Sequence, residues 1–105
     1  MKKIIILIPV FNDWKSFQKL IEEINKNIID FEDISFECLV VNDASTIDRP
    51  TLIKPTHINS LEILNMKKNK GHARCNAFGI RYIFKNKEFD NLILMDGDGE
   101  DRPVE

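Results

Sequence analysis

The sequence predicts an α/β domain built on a mostly parallel sheet of about four strands with helical crossovers. Three observations carry that reading. Apolar, β-branched runs alternate with amphipathic segments in the order β-α-β-loop-β-α-β, which calls for parallel strands joined by crossovers. The first run, Lys3–Pro9, is apolar on both faces, as a central strand covered on both sides requires. Three of the four runs also end in polar or acidic residues, at Asn12/Asp13, Asn42/Asp43 and Asp96/Asp98. A parallel sheet collects these ends at one C-terminal edge, where ligands bind in open α/β sheets.

The elements follow in order. Lys3 to Pro9 is the first strand, stopped by Pro9, and Val10-Phe11-Asn12 turns the chain. Asn12 or Asp13 caps the next helix through its side-chain oxygen. Trp14, Phe17, Leu20, Ile21, Ile24 and Ile28 recur at three- and four-residue steps, one apolar stripe along about four turns. Asp30 to Ser35 is a polar connection, Phe36–Val41 a second strand, and Asn42-Asp43-Ala44-Ser45-Thr46 a loop. Pro50 and Pro55 keep residues 47–57 irregular. Leu61–Met66 is the third strand, followed by a turn through Lys67-Lys68-Asn69-Lys70-Gly71. A second helix runs from His72 to about Lys85, with Ala73, Ala77, Ile80 and Phe84 expected on its packed face. Gly79 inside it costs about 1 kcal/mol relative to alanine, and a close helix–sheet approach is the simplest reason for it. Leu92–Met95 is the fourth strand.

Composition narrows the functions. A chain of 105 residues, 43% hydrophobic and 30% charged, suits a single domain. A net charge of −2 offers no electrostatic footprint for nucleic acid. The acids concentrate in the tail: residues 96–105 carry net −4, leaving a mildly basic body. Cys38 and Cys75 lie far apart inside apolar segments, the pattern of buried free thiols in a cytoplasmic protein. Lys2-Lys3 followed by a short apolar run and Pro9 lacks the length of a signal peptide or a membrane span.

The tail Asp96-Gly97-Asp98-Gly99-Glu100 has two readings at this point. It is a solvated acidic loop, or it is a set of oxygen donors able to converge on one hard cation. Competing chemistries fail on their residues. The turn after the first strand has no glycine for a dinucleotide pyrophosphate, and no phosphate-binding P-loop is present. A calcium helix-loop-helix would need glycine where Asp101 stands. His57 and His72 have no triad spacing, and His57 reads as a solvated surface residue.

Four blocks in fixed order carry a resemblance: Ile8-Pro9-Val10-Phe11-Asn12-Asp13, Val40-Val41-Asn42-Asp43-Ala44-Ser45-Thr46, Asn69-Lys70-Gly71-His72-Ala73-Arg74, and Met95-Asp96-Gly97-Asp98-Gly99-Glu100-Asp101-Arg102-Pro103. Together they resemble the nucleotide-sugar-binding half of a family-two glycosyltransferase of the type A fold, with dolichol-phosphate mannosyltransferase-like enzymes the nearest in flavour. The resemblance implies a Rossmann-like half-fold over residues 1–105, part of a larger catalytic domain. It implies that Pro9, Phe11 and Asp13 cup the nucleobase and ribose, that Asp43 hydrogen-bonds the base, and that Arg74 meets the diphosphate. Asp96 and Asp98 would hold a divalent metal, Mg²⁺ or Mn²⁺, with Glu100 as a further ligand. Phe11 also has a plain reading as core, Asp43 as a turn residue and Arg74 as a solvated helix residue.

The expected donor is a UDP- or GDP-linked sugar, and the expected acceptor a lipid-linked or glycan group, with the longer enzyme at a membrane surface. The general base lies downstream of Glu105 in that family. An open sheet edge would invite a homodimer. Asn42 and Ala44 depart from the family's usual aspartate and glycine, and Ala77 from its usual asparagine, which bears on base and sugar choice more than on fold. A non-catalytic nucleotide-binding or regulatory α/β module is the alternative.

Overall fold

A computed structural model describes residues 1–96. Its elements are β1 (Lys2–Val10), α1 (Trp14–Ile28), β2 (Ile34–Asn42), β3 (Ser60–Asn65), α2 (His72–Asn86) and β4 (Asn91–Leu94). All strand pairs are parallel, in the order β3-β2-β1-β4. The expected α/β class and crossovers are present, with boundaries shifted by one or two residues.

Alternation along β1 divides the core. Ile6, Ile8 and Val10 face α1, joined by Phe36, Cys38 and Val40 of β2. Ile5 and Leu7 face α2, joined by Leu39 and Val41. The helices lie on opposite faces because the chain reverses its direction across the sheet. It winds from β1 outward to β2 and β3, then returns through α2 to the far side of β1; right-handed crossovers in opposite directions occupy opposite faces. The reversal creates a topological switch point between β1 and β4, at their C-terminal ends.

α1 follows its stripe, burying Trp14, Phe17, Leu20, Ile21, Ile24 and Ile28. Its expected cap is absent: Asp13 takes the capping position without a side-chain hydrogen bond. A cap is worth about 1 kcal/mol, whereas each large apolar side chain buried contributes about 1.5–3 kcal/mol, so packing alone holds this helix. Residues 47–57 are irregular, as the prolines require, while Ile58 just after them is fully buried against the α1 face.

The packed face of α2 differs from expectation. Cys75, Gly79 and Ile83 are buried, Ile80 packs partly against them, and Ala73, Ala77 and Phe84 are exposed. Gly79 sets this rotation. A Cβ there would lie 2.5 Å from Leu7 Cδ1 and 3.2 Å from Val41 Cγ2, so the helix backbone sits directly on the sheet, as the glycine implied.

β1 continues one residue past Pro9, which pairs with Val41. Proline still punctuates the sheet, but on the other side. The Leu7 carbonyl accepts from Met95 N–H at 3.0 Å, and the next rung toward β4 would need an N–H from Pro9, which has none. The β1–β4 ladder ends there, so Asp96 lies beyond the paired strand. β3 and β4 form the two edges of the sheet, and Ile93 and Leu94 on β4 are exposed. Among the described residues no helix is long and apolar enough to cross a membrane.

Candidate functional site

The C-terminal edge is held by side chains that tie the strand ends together. Asn12 stands at φ 64°, a left-handed conformation that asparagine tolerates better than most residues. From there its Oδ1 accepts from Thr46 N–H at 2.8 Å and Ile47 N–H at 3.0 Å. Its Nδ2 donates to Thr46 Oγ1 at 3.0 Å, and its own N–H donates to Ser45 Oγ at 3.0 Å. Ser45 Oγ donates onward to Asn42 Oδ1 at 2.6 Å, and Asn42 Nδ2 donates to Asn65 Oδ1 at 2.9 Å. The ends of β1, β2 and β3 are thus one hydrogen-bonded lattice. Asn42, where the resemblance implies aspartate, uses both its acceptor and its donor, which a carboxylate could not do.

Asp43 joins the lattice to α2. Its side chain is 1% exposed, with Oδ1 accepting from Lys70 N–H at 2.7 Å and Oδ2 from Gly71 N–H at 2.9 Å. A buried carboxylate is costly unless charge-assisted hydrogen bonds satisfy it, and these two backbone donors do so. Gly71, at φ 88°, takes a conformation that side-chain-bearing residues rarely adopt. Asp43 and Gly71 together fix where α2 begins. Behind them Cys75 is fully buried; burial first, then its hydrogen bond to Asp43, push its thiol up to about 12.

The structure distributes the sequence-predicted residues unevenly. Pro9 is buried within β1, Phe11 is 36% exposed just beyond it, and Asp13 is exposed at the start of α1. Asp43 turns inward onto the Lys70–Gly71 turn. Arg74 is exposed on the first turn of α2. Asp96 follows β4, with its Oδ1 3.4 Å from Nδ1 of His72, the first residue of α2. Asp98 and Glu100 lie outside the described residues.

His72 is a site residue that the sequence reading left without a role, and Asn12, expected as a candidate cap for α1, instead ties down the loop after β2. The available signals were an asparagine at a turn between strand and helix, and a histidine directly after the glycine that opens α2. The arrangement therefore sets a helix N-terminus, whose N–H groups and dipole suit phosphate, beside a carboxylate at the switch point. Among the described residues no group of three His, Cys, Asp or Glu side chains is placed to hold a metal; His72 and Asp96 supply two donors. Their chemistry, one carboxylate oxygen and one imidazole nitrogen, fits a divalent ion whose remaining positions come from elsewhere.

A second polar network lies on the α2 side of the sheet. Lys87 pairs with Glu62 at 3.1 Å and Glu37 at 3.9 Å, and Lys3 pairs with Glu37 at 3.2 Å. Tyr82 donates to Glu62. Burial works to raise the Glu62 carboxyl, but the Tyr82 and Lys87 contacts outweigh it and leave it lowered. Lys87 bridges Glu37 and Glu62, so this network reads as structural.

An uncharacterized protein of Methanocaldococcus jannaschii is 27% identical over 105 residues, a match covering 96% of this chain and 42% of that protein. The present chain thus spans less than half the length of that relative. The family described as "Glycosyl transferase family 2" matches residues 5–104, nearly the whole chain, from Ile5 within β1 through all the later strands and helices. The chain belongs to glycosyl transferase family 2.

Proposed function

We propose that this chain is the donor-binding part of a glycosyltransferase, taking a nucleoside-diphosphate sugar in the crevice outside the ends of β1 and β4. The observation that carries the reading is the 3.4 Å approach of His72 to Asp96. It brings a phosphate-suited helix start against a carboxylate at the switch point, where open α/β sheets bind ligands.

Each residue then has a task. Phe11, partly exposed past β1, offers an aromatic face for the base, and Asp13 an acceptor for ribose hydroxyls. Pro9 acts from within β1, by ending the β4 ladder so that Asp96 can leave the sheet. Asp43 positions the Lys70–Gly71 turn; because its carboxylate is buried and engaged, contact with a base would need that turn to move. Arg74 and the first N–H groups of α2 bind the diphosphate and hold it for departure. Asp96, with Asp98 and Glu100, is the proposed holder of a divalent cation, which when bound would offset charge building on the leaving diphosphate.

The general base and acceptor contacts are assigned to none of residues 1–105, so this stretch alone binds donor and turns over little. The finer likeness to dolichol-phosphate mannosyltransferases, a lipid-linked acceptor and work at a cytoplasmic membrane surface belong to this proposal and rest on the motif blocks.

Calorimetric titration of UDP and GDP, with and without Mn²⁺, tests the reading. Metal-dependent binding that disappears in Asp98→Ala supports it. Nucleotide binding indifferent to both metal and Asp98 overturns it in favour of a non-catalytic nucleotide-binding module.

A further inference from the structure

The donor-site reading assigns the cation to acidic residues and uses His72 only to mark the start of α2 beside Asp96. The geometry argues otherwise. His72 is the first residue of α2, and its place is set from two sides. Gly71 precedes it in a glycine-type conformation, and the Gly71 N–H is tied to buried Asp43. So anchored, the imidazole Nδ1 stands 3.4 Å from Asp96 Oδ1. Two donors each about 2.1 Å from one ion stand about 3 Å apart when they subtend a right angle. The observed spacing is within a small side-chain adjustment of that, and both side chains are more than a third exposed, with room to adjust. One turn further along the same side of α2, Asn76 Oδ1 is buried with no hydrogen-bond partner among the described residues. A buried carbonyl oxygen left this way commonly marks a place for an ordered water or ion.

We propose that the His72 imidazole is a second protein ligand, beside Asp96, for the divalent cation of the donor site, and that its nitrogen makes this site favour Mn²⁺ or Co²⁺ over Mg²⁺. Mg²⁺ takes oxygen donors in near-ideal octahedral geometry and holds its waters. Imidazole is a ligand for first-row transition ions, Co²⁺ above Mn²⁺ in affinity, whereas Mg²⁺ keeps to oxygen donors and its own waters. A carboxylate-only clamp would distinguish these ions weakly, whereas a histidine in the set separates them. The inference rests on the metal reading above, and its test separates the two.

The test uses the full chain with Mn²⁺, Co²⁺ and Mg²⁺ in the presence of UDP. Wild type should bind Mn²⁺ about tenfold or more tightly than Mg²⁺, and pulsed EPR of the Mn²⁺ complex should show ¹⁴N modulation from one imidazole. His72→Gln should lose the modulation and about tenfold or more in Mn²⁺ affinity, with Mg²⁺ affinity changed less than about twofold. Because loss of a residue that only orients Asp96 would also weaken binding, the ¹⁴N signal and the Mn²⁺/Mg²⁺ split decide the matter. A wild-type complex without nitrogen coupling, or equal losses for both ions in His72→Gln, overturns the assignment. Asp96→Ala separates the two levels. If it abolishes Mn²⁺ binding while His72→Gln changes nothing, His72 alone is excluded. If Mn²⁺ binding survives Asp96→Ala intact, the metal reading falls with it. Circular dichroism of both variants, each altered at a partly exposed side chain, confirms that the fold is retained.

Discussion

The Asp43 carboxylate and the Gly71 N–H meet at 2.9 Å in a place that solvent barely reaches. With the partner bond from Lys70 at 2.7 Å, this contact joins the end of β2 to the start of α2 and so shapes the candidate site from behind. Asp43→Ala removes two hydrogen bonds to a charged acceptor, each worth about 1.5–3 kcal/mol, and because Lys70 is exposed and Gly71 half-buried, water offsets part of the loss. The expected loss is about 2–4 kcal/mol by urea unfolding. Nucleotide affinity should weaken even at temperatures where the variant stays folded, because the α2 turn is no longer held.

Gly79 is the point of closest approach between α2 and the sheet. In Gly79→Ala a methyl would crowd the terminal methyls of Leu7, a fully buried side chain that must shift within the packed core to make room. Overpacking costs about 1–3 kcal/mol, against about 1 kcal/mol gained in helix propensity. Thermal denaturation should therefore show a net loss of about 1 kcal/mol. A variant more stable than wild type would mean that the helix can lift off the sheet at little cost.

Ala44 occupies a left-handed backbone conformation, φ 55°, one that glycine adopts without steric cost. A residue with a Cβ there carries about 1 kcal/mol of strain. Ala44→Gly relieves it, less the entropy that glycine adds to the unfolded chain. The expected result is a variant as stable as wild type or up to about 1 kcal/mol more so, read from denaturation midpoints.

Burial pushes the Cys38 thiol up to about 12 from an ordinary 9.0. The unfolded chain releases this proton near pH 9 while the folded chain keeps it. Stability is therefore whole below pH 9 and declines as pH rises toward 12, by about 1.4 kcal/mol per pH unit for this group. Cys38→Ala, though less stable throughout, should show a flatter decline. Native protein at pH 8 should react with a thiol reagent only on the unfolding timescale, at Cys38 and Cys75 alike, since both are buried.

Arg74 is exposed on the first turn of α2, beside the turn that Asp43 holds. A charged hydrogen bond to phosphate contributes about 1.5–3 kcal/mol. Arg74→Ala should therefore weaken UDP or GDP binding by roughly 10- to 150-fold with little change in stability, and the loss should shrink at high salt. Equal affinity in the two proteins would remove Arg74 from the diphosphate site.

The sheet, its parallel sense and the α1 face were legible in sequence because strict periodicity and strand-end residues leave few alternatives. α2 was harder. It has apolar residues nearly all round, including the exposed Phe78 and Phe84, so its pattern did not define one face; the contact of Gly79 with Leu7 did. Asp43 read as a loop residue, because nothing in its neighbours announces that two backbone amides will bury it. His72 gained meaning only when β4 brought Asp96 across the sheet. Pairings between distant strands govern what local pattern cannot.

The β1–β4 pairing has a kinetic consequence. Lys3 and Asp90, bonded at the base of these strands, are 87 positions apart in the chain, whereas β1 finds β2 after 32, from Lys2 to Ile34. By loop-closure entropy the longer search costs about 0.9 kcal/mol more, and β4 brings only four residues to the ladder. The expected order of assembly has β1, α1 and β2 closing early and β4 docking late. The carboxylate of Asp96 thus reaches His72 in the last step of folding, so the site comes into being only once the whole sheet is built.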